Sequence, residues 1–92
     1  MKALAIDDGV MSELLAHCRK AYPHEACGLL SGKKSWAYRH FPIPNVALDP
    51  LVEYEMDPQG QYDAFRAIEG QGEDLVAIYH SHPTTPAVPS RA

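Results

Sequence analysis

No apolar run in this sequence approaches the roughly 20 residues a membrane-crossing helix needs, and the opening Met1-Lys2-Ala3-Leu4-Ala5-Ile6-Asp7-Asp8-Gly9 lacks the long apolar stretch of a secretory signal. Cysteine is scarce. Cys18 and Cys27 are the only two, too few for a disulfide framework and at a spacing that fits no zinc knuckle or redox pair. They are expected to be reduced core thiols of a cytosolic protein, which makes the cytoplasm the expected compartment. Positive charge is also thin: 8 Lys and Arg stand against 12 Asp and Glu, a net charge of −4. The basic residues fall mainly in two pairs, Arg19-Lys20 and Lys33-Lys34, so no basic stripe exists to hold nucleic acid. Internal repeats and linkers are absent.

What remains is a chain of 92 residues, 46% apolar and 22% charged, the composition of one ordinary globular domain with a thin core. Ala3 to Ile6 reads as a short strand, and Asp7 or Asp8 can cap a following helix. Val10, Met11, Leu14, Leu15, Cys18 and Tyr22 recur at helical spacing, and Pro23 ends the element. Ala26 to Gly32 is an apolar run suited to a strand buried on both faces. A turn at Gly32-Lys33-Lys34 then leads into a strand from Ser35 to Phe41. Pro42 to Pro50 reads as loop, and Val52 to Met56 as a further strand. Asp57-Pro58 has the form of a helix start, with Tyr62, Phe65 and Ile68 expected on its inner face. Leu75 to Tyr79 is the last expected strand. His82 to Ala92, with three prolines and no periodicity, is expected to carry no regular element. This order of elements indicates a sheet with helices packed on it.

The chemistry-bearing residues gather at the end of that last strand. His80 and His82 are two apart, and residues i and i+2 of a strand project from the same face, so both imidazoles would point one way. Two such nitrogens at a strand end can start a divalent metal site, although an isolated His-x-His is more often two partly exposed histidines. Glu25, at the foot of the apolar strand, can be a solvated strand-end residue or a general base for a metal-activated water. Ser90, after a proline, can be a turn residue or a donor to the oxyanion of a tetrahedral intermediate.

Taken together, these residues resemble the JAMM (MPN+) metalloprotease family. Glu25 with Ala26-Cys27-Gly28-Leu29-Leu30-Ser31-Gly32 looks like the family's glutamate-bearing strand. His80-Ser81-His82-Pro83, with Ser90 following His82 after a seven-residue gap, looks like its metal segment. Glu53-Tyr54-Glu55-Met56-Asp57-Pro58 also matches, and the resemblance covers essentially the whole chain. It implies a three-layer α/β/α domain on a mixed sheet, similar to the cytidine deaminases. It further implies zinc (Zn2+) held by His80 and His82, Glu25 as general acid/base, and Ser90 as oxyanion donor. The implied activity is hydrolysis of a peptide or isopeptide bond, commonly after the C-terminal Gly-Gly of a ubiquitin-like protein. Short prokaryotic members act on sulfur-carrier proteins.

In the family pattern an aspartate follows the serine by three positions and completes the metal site; here that position would fall one past Ala92. Residues 1–92 are therefore expected to form a JAMM domain incomplete at its C-terminus, weak in zinc binding, inactive by itself, and prone to form a homodimer through an uncovered sheet edge. The rival expectation is a metal-free MPN-type module that binds a partner without catalysis. A deaminase is disfavoured because no Pro-Cys-x-x-Cys ligand segment is present.

Overall fold

A computed structural model describes residues 3–82 and 85–91, the latter stretch through its main chain. The elements are β1 (Ala5–Ile6), α1 (Asp8–Ala21), β2 (Cys27–Lys33), β3 (Trp36–Ile43), α2 (Pro58–Gly70), β4 (Asp74–His82) and β5 (Thr85–Arg91). The sheet order is β1-β3-β2-β4-β5. β1 runs parallel to β3, and the remaining neighbours are antiparallel, so the sheet is mixed as expected.

Local chemistry explains where the helices start. The Asp7 carboxylate accepts from the amides of Gly9 and Val10, and that of Asp57 accepts from Gly60, satisfying first-turn N–H groups that have no partner within the helix. Arg19 and Lys20 lie in the last turn of α1, where the helix dipole favours positive charge.

β2 runs down the middle and is buried from Cys27 to Gly32. Its alternating side chains feed two cores. On one face Leu30 joins Val10 and Leu14 of α1, together with Ala37, Ala77 and Tyr79. On the other, Cys27 and Leu29 pack with Ile43 and with Ala64 of α2. The result is a helix–sheet–helix stack. Gly28 makes room within it: a Cβ there would lie 2.5 Å from Cε1 of Tyr79 and 2.6 Å from the Phe41 carbonyl oxygen.

Four sequence expectations need correction. The proline-bearing tail does form a strand, β5, with Tyr79 opposite Pro89. It is an edge strand, where a missing N–H need not break a ladder on the outer side. β3 likewise continues through Pro42 to Ile43, because β1 pairs only with Trp36 and Ala37 and leaves that flank of β3 open further along. Val52 to Met56 is not a strand; it keeps a single bridge, Asn45 to Met56. Finally, Tyr62 and Phe65 of α2 are 55% and 44% exposed, and the buried positions are Ala64 and Ile68. Small Ala64, with Gly60 one turn earlier, lets α2 approach the sheet closely, which swings the large rings outward.

Between α1 and the sheet runs a part-buried polar chain. The Tyr79 hydroxyl lies 2.6 Å from Nδ1 of His17 and 2.6 Å from Nε2 of His40, and Nδ1 of His40 faces Glu13 at 3.4 Å. One arrangement satisfies every group: Nδ1–H of His40 toward Glu13, the hydroxyl of Tyr79 donating to Nε2 of His40, and its oxygen accepting from Nδ1–H of His17. Burial pushes the Tyr79 phenol above its ordinary value. It pushes His17 down, helped by the nearby His40 and Lys20, and lowers His40 despite the opposing pull of Glu13. Protonating both imidazoles would leave the buried Tyr79 O–H without an acceptor.

A histidine whose pKa is lowered by folding takes up protons more readily when unfolded, so stability rises with pH across the window between the two values. The contribution is complete above about pH 6.5, the unfolded value, and is lost as pH falls through the lowered native values. Urea unfolding at pH 7.5 and pH 5 should therefore show a less stable chain in acid. The double variant H17Q/H40Q should flatten that dependence, and an unchanged acid limb would show that other groups govern it.

Candidate metal and peptidase site

The end of β4 alternates in purpose. Ala77, Tyr79 and Ser81 are buried, whereas Ile78, His80 and His82 belong to the opposite set. Cys27 of β2 pairs with His80, and the strand contact continues one residue beyond the formal end of β2. The amide of Ala26 donates to the Ser81 hydroxyl at 2.8 Å, and the amide of Ser81 donates to the Ala26 carbonyl at 2.9 Å. This two-bond clip sets Glu25, the residue before Ala26, beside the histidines.

Glu25, His80 and His82 come together as the sequence suggested. Each offers a ligand atom, and these lie within 4.8 Å of one another. The two Nε2 atoms are 3.0 Å apart with the rings at 83°, and Nδ1 of His82 stands 3.9 Å from Oε1 of Glu25. Glu25 is only 3% exposed, while the His82 side chain is 57% exposed, so the carboxylate is set in the wall and the imidazole faces solvent.

The donor set suits a divalent cation. Two neutral imidazoles cannot aim lone pairs at each other; either one nitrogen is protonated and donates, or a cation is shared. Tetrahedral zinc with Zn–N of 2.0–2.1 Å separates two ligand nitrogens by about 3.3 Å, within a few tenths of the distance present. Cys27 does not join the set. Its thiol donates to the Ile43 carbonyl at 3.4 Å, and burial, reinforced by the negative Glu25, pushes it up to about 11.

Ser90 lies in β5 opposite Ile78, two pairs along the ladder from Val88, which is opposite His80. The Ser90 side chain lies outside the described residues.

Sequence reasoning passed over three contributors: Ser81, Asn45 and Tyr54. Ser81 was legible in principle, since the middle residue of His-x-His must face the opposite side of the strand. Asn45 and Tyr54 sit in an aperiodic stretch. The Asn45 amide group donates to the carbonyls of Glu25 (2.9 Å) and Glu53 (3.1 Å) and accepts from the amides of Ala47 and Glu55 (both 3.0 Å). The Glu25 amide in turn donates to the Pro50 carbonyl at 2.7 Å. Tyr54 stacks on His80, with centroids 4.6 Å apart and planes 17° from parallel.

Residues 7–92 match the family model described as prokaryotic homologs of the JAB domain. The chain belongs to this family. Among its relatives is a probable TtuB-protein conjugate cleaving protease of Thermus thermophilus, 41% identical over 95% of this chain and 58% of that protein. A desampylase of Haloferax volcanii is 37% identical over 95% of the chain and 67% of its own length. A CysO-cysteine peptidase of Mycobacterium tuberculosis is 39% identical over 96% and 61% respectively. This JAB-domain chain thus spans about three-fifths of the length of these three relatives. The solution structure of a Desulfitobacterium hafniense protein superimposes with a TM-score of 0.80 at 38% identity, covering 95% of this chain and 62% of that one.

The clip is the feature of this site most open to direct test. Replacing Ser81 with alanine leaves the buried Ala26 N–H without its acceptor, a loss of about 1–3 kcal/mol. S81A should show a correspondingly lower urea midpoint, and a midpoint matching the parent would mean that water or a shifted strand replaces the hydroxyl.

Proposed function

We propose that this JAB domain hydrolyses a peptide or isopeptide bond with the help of zinc, at the C-terminal tail of a ubiquitin-like or sulfur-carrier protein. The observation that carries the reading is the convergence of Glu25, His80 and His82 from two separate strands at one sheet end, with ligand atoms within 4.8 Å. The relatives named for cleaving TtuB conjugates and CysO-cysteine support the substrate class.

Nε2 of His80 and Nε2 of His82 would hold the ion. When bound, zinc supplies Lewis-acid polarisation of a carbonyl and makes water a competent nucleophile near neutral pH. Glu25 handles the proton: its carboxylate accepts one from the attacking water and returns it to the departing amine. Its main chain is clamped at both its amide and its carbonyl, and the residue is buried in the wall of the site. Ser90 is assigned the oxyanion on the strength of the motif. Two imidazoles are one ligand short of the three that catalytic zinc takes from protein. The reading therefore assigns the third ligand to the family's aspartate, three positions beyond Ser90.

A protein tail suits the surroundings better than a polyanion. The net charge is −4, and the segment from Val46 to Val52 beside the site exposes Val46, Leu48, Leu51 and Val52. An extended tail crossing such a wall presents little but backbone to the metal, which favours glycine at the scissile end.

E25Q, introduced into a chain that carries the aspartate, tests the assignment. General acid–base catalysis is worth about 10²–10⁴-fold, so hydrolysis of a ubiquitin-like conjugate should fall by that order while metal analysis still finds one equivalent of zinc. Near-normal hydrolysis by E25Q would remove Glu25 from the chemistry.

A further inference from the structure

Residues 45–56 cross the sheet end as a strap, and its bonds converge on the site. Asn45 holds both ends of the strap: its Nδ2 donates to Glu25 and Glu53 carbonyls, and its Oδ1 accepts from Ala47 and Glu55 amides. The Val46 amide bonds the Glu55 carbonyl at 2.8 Å, and the Asp57 amide bonds the Pro44 carbonyl at 3.0 Å, closing the strap at its base. Midway, the Pro50 carbonyl takes the Glu25 amide. One side chain of the strap reaches the histidines: the Tyr54 ring lies nearly flat against His80.

An apolar filler has no need of this geometry. Tyr54 is 36% exposed and contributes little to either core, yet its plane is within 17° of the imidazole's. Stacking of this kind removes the freedom of a strand-end imidazole to rotate about its χ2. Each of the four hydrogen bonds on Asn45 contributes only about 0.5–1.5 kcal/mol net, but together they tie Glu25, Ala47, Glu53 and Glu55 to one side chain and so restrict the strap that carries Tyr54.

We infer that the strap is a positioning element for the candidate metal site, with Asn45 as its fastener and Tyr54 as the residue that fixes the ring plane of His80. The inference rests on the metalloprotease reading for its purpose, but the positioning itself exists in the metal-free chain and is measurable there. Tyr54 and Asn45 are positioning residues: neither is assigned contact with the reacting atoms.

The test follows the His80 ring signals by NMR in the labelled, metal-free chain and measures zinc affinity by chelator competition. Y54L should shift the His80 ring protons downfield, as the aromatic ring above them is lost, and weaken zinc by about 10–100-fold, the usual effect of disturbing a ligand's support. Y54F should retain both the shift and the affinity, which a role for the tyrosine hydroxyl would not permit. N45D keeps the two acceptor bonds and loses the two donor bonds; it should move the Glu25 amide signal and reproduce part of the Y54L effect on His80. Unmoved His80 signals in Y54L, or zinc affinity that tracks melting temperature with no rescue by Y54F, would overturn the inference. A chain that carries the aspartate and still takes up no zinc would instead count against the metalloprotease reading, and the His80 signals would still decide the positioning role.

Discussion

The pairing of β2 with β4 is the interaction on which the site depends. Cys27 opposite His80 and the two hydrogen bonds between Ala26 and Ser81 fix one strand end against the other. The candidate ligands lie 55 residues or more from Glu25 in sequence, so closing that separation is an entropic cost the ladder must offset. It does so in the middle of the sheet, where β2 is buried from Cys27 to Gly32 and both cores contribute apolar contact. The backbone of the site is therefore anchored directly to the core of the domain, although the site opens at the rim.

Position along β4 then decides what each residue does. A strand alternates faces, and here the alternation separates two kinds of polar chemistry. Tyr79 and Ser81 point into the side covered by α1, where every polar atom is matched: Tyr79 with His17 and His40, Ser81 with Ala26. His80 and His82 stand on the other set, where α2 leaves the strand end uncovered and the nitrogens face one another. At the far end of the sheet, β2 and β3 use the same logic without any functional group. Burial alone would raise the Glu73 carboxyl, but hydrogen bonds from Arg39 and Ser31 outweigh it and hold the group below its ordinary value.

Regular elements were legible because their signals are periodic or chemical. β2 and β4 announced themselves as apolar runs, and both helices by capping aspartates, Asp7 and Asp57, the second followed by Pro58. The convergence of Glu25 with His80 and His82 followed from the family motif, whose two halves are each ambiguous alone. The failures also have physical causes. Pro86 and Pro89 argue against a strand in general, but an edge position removes the objection. Tyr62 and Phe65 were assigned inward on hydrophobicity, yet the close approach of α2 selects Ala64 at the interface. The strap has neither period nor capping pattern. Its order comes from one asparagine bonding four partners scattered from Glu25 to Glu55, which no local window contains.

A chain of 92 residues has a thin core and little stability to spare, so the residues beyond the strand ends cannot be fixed by apolar burial. Leu48 is fully exposed and Val52 is 71% exposed, which shows how little packing the strap enjoys. Hydrogen bonds take its place. Each is worth only about 0.5–1.5 kcal/mol net, but their directionality restricts a backbone more sharply than the same energy of apolar contact would. Using direction where area is lacking lets the strap hold Tyr54 against His80 while its apolar side chains stay uncovered. Those side chains stay uncovered on the outer side of the strap, while its inner side carries the ring that lies against His80.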